Sequence, residues 1–277
     1  RDGGNWRGAF ERVADRYREI ARGLGLGCDL DGALVAIAAA VEQGAGEDFC
    51  ASRGEYLNGL LMSDFLGYAF LDPKDCIFFT AEGAFDSERT NQTLSAALAD
   101  MPNAVVPGFY GSLPDGTIHT FSRGGSDITG AIVARAACAD VYENWTDVSG
   151  FLMADPRLVL GARPIRNITY RELRELSYMG ATVLHEDSVF PVHRAGIPTN
   201  IRNTNHPEHD GTMITHNADE EKNPYVITGI AGRVGFSVIS VEKAMMNAEK
   251  GFGRRILQAI EEAGLSFEHL PTGIDTL

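Results

Sequence analysis

The first 66 residues are patterned for helices. Phe10, Val13, Tyr17 and Ile20 recur three and four residues apart, which gathers them on one side of an α-helix. A second helix follows Asp29, a residue suited to an N-cap, and runs through alanine-rich sequence to Val41. A third begins near Arg53, with Tyr56, Leu60, Leu61 and Phe65 on its apolar side. After Gly67 the period changes. Cys76 to Thr80 and Ala104 to Phe109 are short apolar runs bounded by Pro, Asp and Gly, as buried strands are. Thr117 to Phe121 alternates like a strand and leads straight into Arg123-Gly124-Gly125-Ser126-Asp127. A helix rich in Ala, Ile and Val follows as far as Cys138.

Thr169-Tyr170-Arg171-Glu172 has capping-box form and opens a helix with Leu173 and Leu176 inward and Gly180 near its end. Val189 to Val192 and Thr199 to Asn203 read as further strands. Strands separated by helices over about 200 residues predict a layered α/β domain with a mainly parallel sheet. From Asn203 to Asn223 the sequence turns polar and turn-rich, which reads as a linker. Beyond it Tyr225 to Ala231, Gly235 to Val241 and Ser266 to Leu270 read as strands, with a helix marked by Phe252, Ile256 and Ile260. So short a β-α-β stretch makes a poor independent core, so the second domain reads as incomplete. The division is expected at residues 1–215 and 216–277.

Composition excludes more than it identifies. No apolar run reaches the roughly 18 residues of a membrane span, and hydrophobic residues make up 44% of the 277. The net charge of −14, from 38 acidic and 24 basic residues, disfavours a nucleic-acid surface. An anionic substrate would depend on a few local arginines and backbone N–H groups. Cys28, Cys50, Cys76 and Cys138 form no CxxC pair, and His185, His193, His206 and His209 match no ligand spacing, so no metal site is expected. A reduced, cytoplasmic setting fits the cysteines best.

Three segments carry candidate chemistry. In Phe121 to Asp127 a strand ends in a Gly-Gly turn that opens a helix, presenting unpaired N–H groups at the positive end of the dipole. Arg123 offers a fork for a carboxylate or phosphate, Asp127 offers an anion for an ammonium group, and Ser126 can cap. An ordinary glycine-rich turn with a dipole-complementing aspartate accounts equally well for the motif. Trp145-Thr146-Asp147-Val148-Ser149-Gly150, followed by Ala154-Asp155-Pro156-Arg157, places a hydroxyl, a carboxylate and an arginine where a nucleotide could sit, or makes two surface turns. Ser52-Arg53-Gly54-Glu55 lies near a helix start, where Glu55 alone reads as dipole compensation.

In this order, and together with Pro107-Gly108-Phe109-Tyr110-Gly111 and Gly180-Ala181-Thr182-Val183-Leu184-His185, these segments resemble the aspartate kinases from about Ser52 to Leu277. Phe267 to Thr276 looks like the entry to an ACT regulatory domain. The resemblance implies a three-layer αβα amino-acid-kinase (carbamate-kinase-like) fold, followed by a partial ferredoxin-like ACT domain. It implies transfer of the ATP γ-phosphoryl group, with Mg²⁺, to the side-chain carboxylate of L-aspartate. Arg123 is then expected to hold an aspartate carboxylate, Glu55 and Asp127 its ammonium group, and Phe109 to line the pocket with Gly124, Gly125 and Ser126. Thr146, Asp147, Leu152, Arg157, Thr182 and Val183 are expected to face ATP. The family opens with a strand and a Lys-Phe-Gly-Gly phosphate loop, whereas here Arg1-Asp2-Gly3-Gly4 has no strand before it. The loop is therefore expected to be missing or to lie outside this sequence. Leu152 stands where the family often has tyrosine, and Thr182 where it often has lysine. A homodimer and lysine or threonine as effector are further expectations of the resemblance. The alternatives are a kinase for glutamate or acetylglutamate and a non-catalytic amino-acid-sensing module.

Overall fold

A glycine or a capping side chain marks most of the helix boundaries. The computed structural model describes residues 6–122, 124–179, 186–217 and 226–277. Helices α1 (Trp6–Leu24), α2 (Leu30–Glu42) and α3 (Glu47–Leu66) open the chain. The Asp29 carboxylate accepts the Gly32 N–H at 3.0 Å and so caps α2. Ala14, Leu30, Leu34, Ile37, Leu57 and Leu61 form the core these helices share, with Phe10, Tyr17 and Ile20 packed on it. Val13 and Phe65 stand 45% and 54% exposed, so the apolar stripes of α1 and α3 are narrower than expected. Helix α3 also begins at Glu47, earlier than expected, with Glu47 and Asp48 complementing the dipole of its first turn.

The apolar runs that follow are buried, but little of them forms ladders. Cys76, Ile77, Phe78 and Phe79 are interior, yet Phe78 and Phe79 make only single bridges to Ser112 and Phe85. A 3₁₀ turn at Pro73–Asp75 leads into this run. The Thr90 hydroxyl accepts the Phe78 N–H at 2.9 Å, the place a neighbouring strand would take. Of the expected strand Ala104 to Phe109 only β2 (Ala104–Val105) forms, parallel to β1 (Ala69–Phe70). Pro107 has no N–H to give, and Phe109 leaves the extended region with φ 62. Helix α4 (Ser87–Leu98), capped by Asp86, was not foreseen. Strands β3 (Tyr110–Ser112) and β4 (Ile118–Thr120) pair antiparallel, with Tyr110 opposite Thr120 and Gly111 opposite His119.

After α5 (Gly125–Ala136) come β5 (Tyr142–Thr146), β6 (Asn167–Thr169), α6 (Tyr170–Tyr178), α7 (Phe190–Ala195), β7 (Thr199–Asn203) and β8 (Thr212–Thr215). The sheet order is β5-β7-β8-β6, with β5/β7 and β6/β8 parallel and β7/β8 antiparallel. With β1/β2, parallel pairing predominates among the described residues, as expected for the fold. Ala131, Phe151, Ile168, Leu173, Val192, Ile201 and Ile214 fill the core between this sheet and helices α5, α6 and α7. Val189 to Val192 is not a strand. It ends a 3₁₀ turn and starts α7, because Pro191 favours a first helical turn and Gly196, at φ 73, closes it. The expected linker at 203–223 contains β8, whose Thr212 is fully buried because its hydroxyl donates to the Ile165 carbonyl at 2.5 Å.

Two units are distinguished, Arg1–Gly232 and Arg233–Leu277. The first extends past residue 215 because Thr228 donates to Glu172 at 2.5 Å and the Ile230 N–H to the Met153 carbonyl at 2.7 Å. In the second, α8 (Phe252–Glu262) forms as expected. The strands expected at Tyr225 to Ala231 (Tyr225 lies outside the described residues), Gly235 to Val241 and Ser266 to Leu270 do not form among the described residues. Between described residues of the second unit one bridge is made, Glu242 with Thr276. Val234, Phe236, Val238 and Ile239 have the residue types of a strand but stand exposed, without the cross-strand neighbours that stabilise one.

Candidate active site

Strand β4 ends at Thr120, and the chain passes through Phe121 and Ser122 to the left-handed Gly124 (φ 56), the residue before α5. Among the described residues no side chain caps α5, so Ser126 does not play the capping part expected of it, and the first-turn N–H groups are left without a described side-chain partner. The loop before β3 closes over this helix start. A Cβ on Gly125 would sit 2.3 Å from the Phe109 Cβ, and one on Gly108 3.1 Å from the Ser126 Cα. At Gly125 only glycine allows this approach, and at Gly108 a side chain would force a small shift of the helix start. Phe109 is held there by two backbone bonds. Its N–H donates to Thr129 Oγ1 at 2.9 Å, and its carbonyl accepts the Phe121 N–H at 2.9 Å. Its positive φ is a costly conformation for a phenylalanine, and such strain concentrates at ligand sites.

Asp127 joins this turn to strand β5. Asn144 Nδ2 donates to Asp127 Oδ1 at 2.9 Å, and the Tyr142 hydroxyl donates to the Asp127 carbonyl at 3.1 Å. Burial, offset in part by the Asn144 contact and reinforced by Asp127, pushes the Tyr142 hydroxyl up to about 12. Tyr142, Asn144 and Thr146 alternate along one face of β5. The same strand therefore carries the partner of Asp127 and, two residues on, the Thr146-Asp147 pair. Thr146 Oγ1 lies 3.3 Å from Asp147 Oδ1, and the Thr146 carbonyl accepts from the Thr204 N–H at 2.8 Å. Asn144 and Tyr142 were not foreseen as site residues, although the alternation of β5 places them beside Thr146.

Gly150 (φ 87) brings the chain against Thr212, whose hydroxyl accepts the Phe151 N–H at 2.8 Å. Phe151 is in the core, and Leu152 stands 38% exposed beside Pro164. Arg157 closes on Asp155 with Nη2 to Oδ2 at 2.7 Å and Nε to Oδ1 at 3.0 Å. These bonds hold the Asp155 carboxyl below the usual range and raise the Arg157 guanidinium. The Arg157 side chain is 87% exposed, so this cation is tethered at the surface and free to exchange its carboxylate for a phosphate.

Glu55 shares a face of α3 with Asp48 and Ser52, at helical spacings of seven and three. Asp48 reaches β4, accepting from Thr120 Oγ1 at 2.8 Å, so this face is turned toward the strand that feeds the glycine turn. No cation among the described residues pairs with Glu55. Arg123, Thr182 and Val183 lie outside the described residues. The structure thus brings together Phe109, Gly124, Gly125, Ser126 and Asp127, and ties them through Asn144 to Thr146 and Asp147. Arg157 and Leu152 sit on the loop that follows.

Residues 7–203 match the model of the amino acid kinase family. The chain belongs to the amino acid kinase family. It is similar to Aspartokinase 3 of Bacillus subtilis (strain 168), with 40% identity over 238 residues, 83% of this chain and 52% of that protein. It also resembles the solved aspartate kinase of Clostridium acetobutylicum, with 48% identity and a TM-score of 0.84, covering 96% of this chain and 61% of the other. E. coli aspartokinase III, solved with aspartate and ADP, shares the fold at 23% identity and a TM-score of 0.63, covering 94% of this chain and 59% of the other. The chain spans about half the length of the Bacillus relative. The amino-acid-kinase fold places the glycine turn and the end of β5 on neighbouring elements of one domain, as described above.

Proposed function

We propose that this chain carries the catalytic domain of an aspartate kinase, which transfers the γ-phosphoryl group of ATP to the side-chain carboxylate of L-aspartate to give 4-phospho-L-aspartate. The observation that carries it is the Asn144–Asp127 bond, which couples an uncapped, glycine-lined helix start to a strand ending in Thr146-Asp147. The identity to aspartate kinases of Bacillus and Clostridium supports aspartate over glutamate or acetylglutamate.

In this reading Arg123 and the open N–H groups of α5 hold a carboxylate of the amino acid. Glu55 and Asp127 take its ammonium group, and Phe109 closes the pocket. Asn144 aims Asp127. Thr146 and Asp147 face the nucleotide with Leu152, Thr182 and Val183. Arg157 leaves Asp155 for a phosphate. Phosphoryl transfer asks for alignment and for neutralisation of developing charge rather than covalent catalysis, and these groups supply both. In a chain of net charge −14 they do so against the global field, so local donors must dominate.

Among the described residues no three His, Cys, Asp or Glu converge as a metal cage. Of the residues at this site Asp147 is the carboxylate that would offer an oxygen to Mg²⁺, a hard cation suited to oxygen donors, and the ion when bound would neutralise phosphate charge. A cytoplasmic location, where ATP and free aspartate are supplied, accords with this chemistry. A homodimer, and lysine or threonine acting through a domain that begins after the linker, complete the proposal.

The full-length protein, given ATP, Mg²⁺ and L-aspartate, should form an acyl phosphate trappable as a hydroxamate. Replacing Arg123 by Ala should raise the aspartate KM and lower kcat/KM by roughly a hundredfold, the scale expected for a charged hydrogen-bonding contact. No hydroxamate from the parent would overturn the activity, and unchanged kinetics in R123A would remove the role of Arg123.

A further inference from the structure

Helix α3 grips the β3–β4 hairpin by both strands at one level. Tyr110 and Thr120 are register partners, and α3 reaches each of them. On the β3 side the Arg53 guanidinium lies 5.1 Å from the Tyr110 ring, between Phe49 at 4.6 Å and Tyr56 at 4.8 Å. Arg53 is 8% exposed, and among the described residues its hydrogen bonds stay within its own helix, to the Phe49 carbonyl and Ser52 Oγ. No carboxylate among the described residues pairs with it. The three aromatic faces are what compensates the buried cation. Tyr110 is itself fixed, fully buried and donating its hydroxyl to Asp72 Oδ1 at 3.0 Å. On the β4 side Asp48 accepts from Thr120 Oγ1 at 2.8 Å and from His119 Nδ1 at 2.9 Å.

The next residues out from this gripped pair are Phe109 and Phe121, joined to one another by a backbone bond. Phe109 covers Gly125, and Phe121 leads into the glycine turn. Glu55 lies on α3 two residues beyond Arg53 and shares its face with Asp48. Fixing α3 on the hairpin therefore fixes Glu55 with respect to the turn.

We propose that Asp48 and Arg53 are positioning residues, a two-point clamp that sets the spacing between Glu55 and the Phe109–Asp127 turn. That spacing selects a four-carbon amino diacid over its five-carbon homologue. The inference rests on the aspartate kinase reading. Glutamate differs from aspartate by one methylene, a difference a pocket turns into at most a 10–200-fold preference, and only when its walls are held rigid. A misplacement on the order of 1 Å erases rates of that size.

The test compares kcat/KM for L-aspartate and L-glutamate in the full-length protein and its D48A, D48N, R53M and R53K variants, with thermal unfolding of each. D48A and R53M should lower the aspartate value about tenfold, mostly through KM, as expected for lost positioning. Glutamate should suffer less, so that the aspartate-to-glutamate ratio falls at least about fivefold. D48N keeps an acceptor for Thr120 and an amide for His119 and should restore the ratio. R53K keeps the charge without the planar stack and should fall between parent and R53M. Should R53M fail to fold, the D48A and D48N pair decides alone. A ratio unchanged in D48A, or not restored in D48N, overturns the clamp. A parent that phosphorylates neither amino acid overturns the activity itself and the selection role with it, and that result is visible before any variant is made.

Discussion

Gly125 shows how little room a single residue can leave. Its missing Cβ is where Phe109 sits, with the Phe109 Cα 2.9 Å away as well, so the obstacle is backbone and cannot swing aside. G125A should therefore push the 107–111 loop off α5. The expected cost is about 1–3 kcal/mol of stability, the usual toll of overpacking, together with a raised aspartate KM. Denaturant unfolding and steady-state kinetics check this, and parent-like values in both would show the contact to be slack. At this scale the sequence was informative about kind and silent about neighbours. The Gly-Gly turn and its flanking charges were legible as a ligand site or a common turn, and nothing local decided between them. Asn144 was missed because an asparagine in a strand advertises nothing until its strand lies beside Asp127.

Elements were read best where the chain carries its own boundary. The box at Thr169 and Glu172 is formed in both directions. Glu172 N–H donates to Thr169 Oγ1 at 3.1 Å, and Thr169 N–H donates to Glu172 Oε2 at 2.8 Å. Burial pushes the Glu172 carboxyl up, but bonds from Thr228 and Thr169 outweigh it and leave it below 4.5. A lowered folded-state value means stability that is present above pH 4.5 and lost as pH falls through the folded value. E172Q should be less stable than the parent at pH 6, with a flatter decline toward pH 3, as measured by urea unfolding across that range. Equal slopes would deny Glu172 its part. Elsewhere residue type misled. Val189 to Val192 has the residues of a strand, but Pro191 and Gly196 make it helical. Cys76 to Phe79 is buried without being a ladder, since the Thr90 hydroxyl takes the Phe78 N–H and the neighbouring N–H groups go to a turn carbonyl and to Ser112. Thr212 to Thr215 was hidden in polar sequence because its buried threonine, Thr212, is a polar residue with internal partners.

For the whole molecule, burial grades the four cysteines, with Cys28 half-buried between the two extremes. Cys76 is 1% exposed in a core with Ile77, Leu94 and Ile132, and burial, with Asp72 and Asp75 nearby, pushes its thiol up to about 12. Cys50 and Cys138 are exposed. A thiol reagent on the native protein should modify Cys50 and Cys138 quickly and Cys76 only as the first unit unfolds, because the reactive form is the exposed thiolate. Mass mapping of the labelled protein checks it, and equal rates at all three positions would contradict the packing. By itself the sequence determined the layered α/β class, the helices capped by Asp29 and Thr169, the helix ended by Gly67 and the list of chemically able segments. Those depend on interactions a few residues apart, which the chain spells out in order. Only the tertiary structure decided which strands exist, that Asp127 meets Asn144, and that α3 holds both strands of one hairpin. Each of these is a contact between distant residues, and its energy comes from buried groups finding partners that no local pattern names.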